Sequence, residues 1–388
     1  MRGRTSKASA TIIIPVYKES DLLPSLLERL TQDDYKGREI IVVIDEPTEK
    51  SIQLSKGYRD VHFIFHDERC GKVNALNKAA KLSHSDILLF LDGDVYIPNG
   101  GAFVETIVQE MENTDILDIK KKIFRHSLQS KMMYYEYIGF NIGSWLMARF
   151  KKGCPAISGS AFAMRRDVFE SLGGFRRVVA EDLDIAMRAF VNGYRFKYTS
   201  SAMVYTRAPP DWGQWRAQRR RWALGAAMWL KEWHRELIHK SIRSPQIFIP
   251  VLLFVAPSLL LFLLNLTDPS MLLSNIFIAS LMLLLVKTTP HLMLIIPTIP
   301  LLSTSHGLLL ADELHQESML RTMGTMLVGF GCASLLFFGF SRKLGFEFRF
   351  SEFFGYYFVY SLVCILFLIG YLIQVASARS RFDIDWKL

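Results

Sequence analysis

The chain has 388 residues, enough for two or three domains, and half of it is hydrophobic although 21% is charged. These properties are segregated: after Ile247 eight Lys and Arg balance eight Asp and Glu, so the whole formal excess of +9 lies in the first 246 residues. A basic soluble part joined to a neutral apolar part points to a domain held against an anionic membrane face, or to one that handles phosphates. Scattered charge without a nucleic-acid motif excludes nucleic acid as the expected partner.

Residues 1–7 are basic but lead into a short strand-like run, so no secretory leader is expected. Residues 10–16 are β-branched and apolar, which suits a buried strand, and residues 21–30 then place apolar side chains at helical spacing. A second strand over 40–44 ends at Asp45-Glu46-Pro47. A third over 61–65 precedes the Gly71-Lys72 turn and a helix through Leu82, and 87–91 is a fourth strand. Alternation of this kind predicts a doubly wound, mostly parallel α/β sheet, with Tyr17, Asp45, Lys72 and the pair Asp92 and Asp94 along one rim. Ligands of such sheets collect outside the carboxyl ends of the strands, where two hard oxygen donors suit Mg²⁺ or Mn²⁺ carrying a diphosphate. A tight turn closed by Asp and Gly is the other explanation of Asp92-Gly93-Asp94.

Residues 116–123 alternate like a strand, and residues 132–150 form a helix rich in Tyr, Trp and Met that serves either core packing or a membrane surface. After Ser158-Gly159-Ser160 come a strand over 161–164 and a helix over 166–172 stopped by Gly173-Gly174. Residues 180–191 form the next helix, with Glu181 and Asp182 in its first turn, where the helix dipole alone would favour carboxylates. A long helix over 211–234 carries Gln218, three consecutive arginines and Trp222. Arg219, Arg220 and Arg221 point over most of its circumference, so one faces inward and the others meet phosphates or water. Residues 247–266, 322–340 and 353–376 are uncharged and long enough to span a bilayer. Residues 271–302 are interrupted by Lys287 and Pro290, giving four transmembrane helices, or five if that stretch folds as two. Cys70, Cys154, Cys332 and Cys364 show no paired spacing, and the nine histidines form no ligand pattern, so neither a disulfide framework nor a zinc site is expected.

Taken together, Ile14-Pro15-Val16-Tyr17, Asp45, Gly71-Lys72 with Ala75-Leu76-Asn77, Asp92-Gly93-Asp94, Ser158-Gly159-Ser160 with Arg165, Glu181-Asp182, and Gln218 with Arg221-Trp222 resemble the family 2 glycosyltransferases of GT-A fold. The likeness is to the branch with cellulose, chitin and hyaluronan synthases. It implies a GT-A catalytic domain over residues 1–210, an interfacial helix over 211–246 and an α-helical transmembrane domain over 247–388. The implied site has Asp182 as general base beside Glu181, and Arg221 and Lys72 on the leaving diphosphate. Asp94, with Asp92, would hold Mg²⁺ or Mn²⁺; Tyr17 and Asp45 would lie near the nucleotide, and Gln218 and Trp222 near the acceptor. Trp222 as an interfacial anchor is the alternative. The implied activity is inverting transfer from a nucleoside-diphosphate sugar to a growing glycan, in a multi-pass cell-membrane protein whose catalytic domain faces the cytoplasm. Transfer of one sugar to a lipid-linked acceptor and a nucleotide-sensing transporter are the competing expectations, and a homo-oligomer stays open. Asp45-Glu46-Pro47 departs from the Asp-Asp pair of many relatives, which leaves the base of the nucleotide open. The absence of a span ahead of the catalytic domain departs from the polymer-extruding relatives.

Overall fold

The computed structural model describes residues 8–98, 101–150, 153–247, 250–251 and 312–377. Eight strands form one sheet: β1 (Ala10–Tyr17), β2 (Arg38–Asp45), β3 (His62–His66), β4 (Ile87–Leu91), β5 (Val95–Tyr96), β6 (Ile116–Ile123), β7 (Ala161–Arg165) and β8 (Phe196–Thr206). Their order is β3-β2-β1-β4-β7-β6-β8-β5. The expected parallel half is present, since β3, β2, β1 and β4 all run the same way. Beyond it the sheet is mixed: β7 runs antiparallel to both β4 and β6, and β6 runs parallel to β8. The reason lies at the rim. The Ser160 carbonyl accepts from the Asp92 N–H at 3.0 Å, so β7 starts where β4 ends and must descend beside it.

Four leucines of α1 (Leu23–Thr31), at positions 23, 26, 27 and 30, make one apolar stripe, and Pro24 sits in the first turn where its missing N–H costs nothing. With Val104, Ile107 and Val108 of α4 (Phe103–Glu110) they close the core cluster on one face of the sheet. The helix α2 (Glu49–Ser55) is capped by the Thr48 hydroxyl, which accepts from the Ser51 N–H. On β1 and β2 lies α3 (Lys72–Leu82), whose buried Ala75, Leu76, Ala79 and Ala80 let the helix approach closely. The 23-residue α5 (Leu128–Phe150) packs on β6 and β8, so core packing is the role of most of its side chains. The short α6 (Arg166–Ser171) ends at Gly173 and Gly174, both with left-handed backbone (φ 74° and 73°). Next come α7 (Glu181–Val191) and α8 (Trp212–Arg243), the latter running nine residues past its expected end and capped by Asp211, which accepts from the Gln214 N–H.

The chain divides into two units, Met1–Val255 with Gly370–Leu388, and Ala256–Ile369. In the second, the helix α9 (Asp312–Lys343) meets the first part of α10 (Phe350–Ser377) through rings, Phe337 lying 5.0 Å from Phe353 and Phe330 5.4 Å from Tyr357. Among the described residues α10 alone is long and apolar enough to cross a membrane, with a mean hydropathy of 2.3. The expected spans over 322–340 and 353–376 fall within α9 and α10. That over 271–302 lies outside the described residues, and so does that over 247–266 apart from 247, 250 and 251.

Candidate active site

The fold gathers the predicted residues of strands β1, β2 and β4 at one rim. Gly93 is fixed by crowding: a Cβ there would meet Val16 Cγ2 at 2.8 Å and the Pro15 carbonyl at 3.3 Å. Only glycine lets the chain pass β1 so closely between two carboxylates, and the Ser20 hydroxyl donates to its carbonyl at 2.7 Å. Across from this turn, Gly71 with φ 85° launches α3, placing Lys72 at its first residue. The Lys72 ammonium lies 2.8 Å from Asp92 Oδ1 and 3.2 Å from Glu181 Oε1. Burial would depress the pKa of this lysine, but Asp92, Glu181 and Asp182 outweigh it and raise it above the ordinary value.

Asp182 follows Glu181 in the first turn of α7. Its Oδ1 accepts from the Leu183 N–H at 2.8 Å, so the helix-terminus explanation holds for one oxygen. Its Oδ2 accepts from the Gly159 N–H at 2.7 Å, across 23 residues. Gly159 must lack a side chain, since a Cβ would stand 2.9 Å from that oxygen. Burial, then the charge of Glu181, push the Asp182 pKa up to about 6, against the opposing pull of Lys72 and the two N–H donors. A carboxylate so poised is ionised at neutral pH yet far more basic than an ordinary aspartate, as a general base requires.

Two buttresses hold the loop ahead of Asp182. Asn77 of α3 donates to the Phe175 carbonyl and accepts from the Phe175 N–H, each at 2.9 Å. Buried Asp184 takes Arg188 Nε at 2.8 Å and Arg176 Nε at 3.0 Å, and Arg176 reaches Glu232 of α8 at 2.8 Å. Nothing in the local sequence predicts the second network, whose members lie up to 56 residues apart.

At the other end of the rim, both oxygens of Asp45 are engaged. Oδ2 accepts from the Gly71 N–H at 2.7 Å and Oδ1 lies 2.9 Å from His66 Nδ1, while Lys78 Nζ stands 2.7 Å from His66 Nε2. Asp45 therefore builds the turn that presents Lys72. The exposed Tyr17 donates to Glu46 at 2.9 Å and carries the Arg69 guanidinium 4.1 Å above its ring. Lys18 and Glu46 both have left-handed backbone (φ 62° and 50°), a conformation that costs non-glycine residues free energy and gathers at ligand sites. Among the described residues Asp45, His66 and Cys70 also bring three ligand atoms within 4.8 Å of one another, which chain spacing does not foretell. The hydrogen bonds to Gly71, His66 and Lys78 already occupy both Asp45 oxygens and both His66 nitrogens.

The acidic pair at the end of β4 fits a divalent ion better. Burial, then the charge of Asp92, push the Asp94 pKa up to about 6 in spite of Lys72 and Arg221. Two hard carboxylate oxygens side by side, only one of them paired with Lys72, are a donor set for Mg²⁺ or Mn²⁺. Arg221 itself is exposed, and its charge reaches Asp94. Of the three consecutive arginines the inward one is Arg219, bonded to Glu136 of α5 at 2.6 Å with both side chains buried. Trp222 is half-buried, its ring 4.4 Å from the Arg219 guanidinium and 6.4 Å from the Phe140 ring. The Gln218 side-chain carbonyl is buried without a hydrogen-bond partner among the described residues.

The sequence model of the family described as Glycosyl transferase family 2 matches residues 11–173, which hold the rim from β1 through Gly159. Poly-beta-1,6-N-acetyl-D-glucosamine synthase of Staphylococcus aureus is 25% identical over 222 residues, covering 55% of this chain and 54% of that protein. The probable glycosyltransferase YdaM of Bacillus subtilis is 24% identical over 233 residues, with the same coverage of 55% and 54%. The chain thus spans about half the length of these curated relatives. Among solved structures, the mannosyltransferase PcManGT of Pyrobaculum calidifontis, determined with GDP-Man and Mn²⁺, superposes with a TM-score of 0.51 at 20% identity. That match covers 84% of this chain and 86% of that one, and it is a likeness of fold.

Proposed function

We propose that this chain, whose residues 11–173 match the Glycosyl transferase family 2 model, is a membrane-bound inverting glycosyltransferase that takes a sugar from a nucleoside-diphosphate sugar and adds it to a growing glycan. The observation that carries the proposal is Lys72, whose ammonium bridges Asp92 on the diphosphate side to Glu181 beside the base Asp182. One cluster thus joins the two ends of a displacement reaction.

In this mechanism Asp182 Oδ2 takes the proton of the acceptor hydroxyl as that oxygen attacks the anomeric carbon from the face opposite the leaving group. The new glycosidic bond forms as the bond to the nucleoside diphosphate breaks, which inverts the configuration. Negative charge grows on the departing diphosphate, and Lys72 and Arg221 offset it. Asp92 and Asp94 would hold Mg²⁺ or Mn²⁺, which supplies further charge stabilisation to the same oxygens. Tyr17 and the Asp45 turn shape the nucleotide end, while Gln218 and Trp222 receive the acceptor. Residues 1–210 are the catalytic domain, 211–246 the interfacial helix and 247–388 the membrane domain, with the catalytic domain on the cytoplasmic face. The apolar α10 supports the membrane assignment. Similarity to a polysaccharide synthase favours repeated addition and makes UDP-N-acetylglucosamine the first donor to try.

The test is a screen of sugar nucleotides on protein in native membranes, with Mg²⁺, Mn²⁺ and chelator arms, reading released nucleoside diphosphate and product length. Metal-dependent release with a ladder of products is expected. A single discrete addition would replace the polymerising activity with transfer to a lipid-linked acceptor, and binding without release would overturn the assignment.

A further inference from the structure

Two helices of the first unit meet beside the acceptor end of the site. Trp215, Arg219 and Trp222 fall on one face of α8 at i, i+4 and i+7, and Glu136 and Phe140 on one face of α5 at i and i+4. Where the faces touch, Arg219 Nη1 donates to Glu136 Oε1 at 2.6 Å, and the two side chains are only 4% and 5% exposed. The guanidinium stands 4.4 Å from the Trp222 ring centroid and 5.6 Å from that of Trp215, and Phe140 flanks Trp222. The crossing is next to the diphosphate rim. Burial, followed by the charges of Asp94 and Glu136, raises the pKa of Tyr137, the neighbour of Glu136.

Stability gives little reason for charges here. Desolvating each ion costs several kcal/mol before pairing recovers it, and apolar side chains of similar volume commonly do as well. A methionine pair, however, cannot fix the plane and height of an indole. A guanidinium held rigidly by a carboxylate and laid against the ring can do so.

We propose that Arg219, locked by Glu136, is a positioning residue that holds the Trp222 ring in the pose that receives the acceptor. The pair therefore governs where the sugar goes and not whether the donor is cleaved. The inference rests on the role given to Trp222 above, and it is separable from it by experiment.

The variants are Arg219→Met, Glu136→Met and the double variant. Their thermal midpoints, the ¹⁹F spectrum of 5-fluorotryptophan-labelled protein with the Trp222 signal assigned through Trp222→Phe, and the partition of UDP-N-acetylglucosamine between product and water are measured. Each single variant removes the Arg219–Glu136 bond from a buried charge and lowers the midpoint. The double variant recovers the midpoint, yet its Trp222 signal moves and its ratio of transfer to hydrolysis falls about tenfold, the size of one lost cation–π contact. An unmoved Trp222 signal overturns the proposal, as does a wild-type partition ratio or a parallel loss of transfer and hydrolysis. If the wild-type protein transfers no sugar from this or any donor, the glycosyltransferase assignment fails, and the ¹⁹F signal still decides whether the pair holds the ring.

Discussion

Replacing Gly159 by alanine tests the placement of the base without touching its chemistry. The backbone at Gly159 is not left-handed, so alanine is conformationally allowed and the effect is steric. The new Cβ would stand 2.9 Å from Asp182 Oδ2 and 3.2 Å from Asp182 Cβ, whereas ordinary contact begins at 3.4 Å. The carboxylate must therefore retreat by about 0.5 Å, which stretches the 2.7 Å bond from the Gly159 N–H towards the limit of useful geometry. Two consequences follow from that displacement. A base moved by a fraction of an ångström loses on the order of 10- to 100-fold in rate, because near-attack geometry is steep. Weakening a hydrogen bond to the charged form also raises the Asp182 pKa further above 6, shifting the acid limb of the rate profile to higher pH. Steady-state kinetics over a pH series read both effects, with the donor KM unchanged since Lys72 and the aspartates of the β4 turn are not involved. Wild-type kcat and an unmoved acid limb in Gly159→Ala would refute the contact and the role built on it.

In the wild-type protein, Asp182 must be ionised to accept a proton, and its pKa is pushed up to about 6. Turnover should thus be near its plateau above pH 7 and fall about tenfold per unit below pH 6, and a flat profile down to pH 5 would contradict the assignment. Lys72→Met removes the cation between Asp92 and Glu181. It should raise the donor KM and lower kcat, whereas an effect on neither would remove Lys72 from the site. Asn77→Ala abolishes both bonds to the Phe175 backbone and strands that N–H, at a cost of about 2 kcal/mol. Calorimetry should show a midpoint several degrees lower, and an unchanged one would mean that the loop is held by other contacts.

The parallel half of the sheet was legible because its strands are short runs dominated by apolar residues and ended by polar ones. Harder to see were α2, α4 and β8. The strand β8 carries Thr199, Ser200 and Ser201 in its middle, at the bulge in its pairing with β6, which breaks the alternation that marks a strand. The antiparallel direction of β7 depends on a hydrogen bond between Ser160 and Asp92, 68 residues apart, and no local pattern encodes it. The carboxylates proposed for the site and Lys72 could be named from motifs, but their partners could not. His66 is bound to Asp45 from the end of a neighbouring strand, and Gly159 reaches Asp182 from a loop. Arg219 left one usable signal: it shares a helix face with Trp215, Trp222 and Ala226, which marks it as the inward arginine of the three. Its counter-charge on α5 becomes visible only once the helices are packed.

The most direct test of the whole account compares wild-type protein with Asp182→Asn in lipid nanodiscs, given UDP-N-acetylglucosamine labelled in the sugar and Mn²⁺ or Mg²⁺. Released UDP and label in product should match mole for mole in the wild type. In the variant both should fall by about 10² to 10⁴ while nucleotide binding persists, because only the proton acceptor has been removed. Equal turnover in the two proteins, or loss of nucleotide binding together with activity, would contradict the role of Asp182 and the mechanism that depends on it.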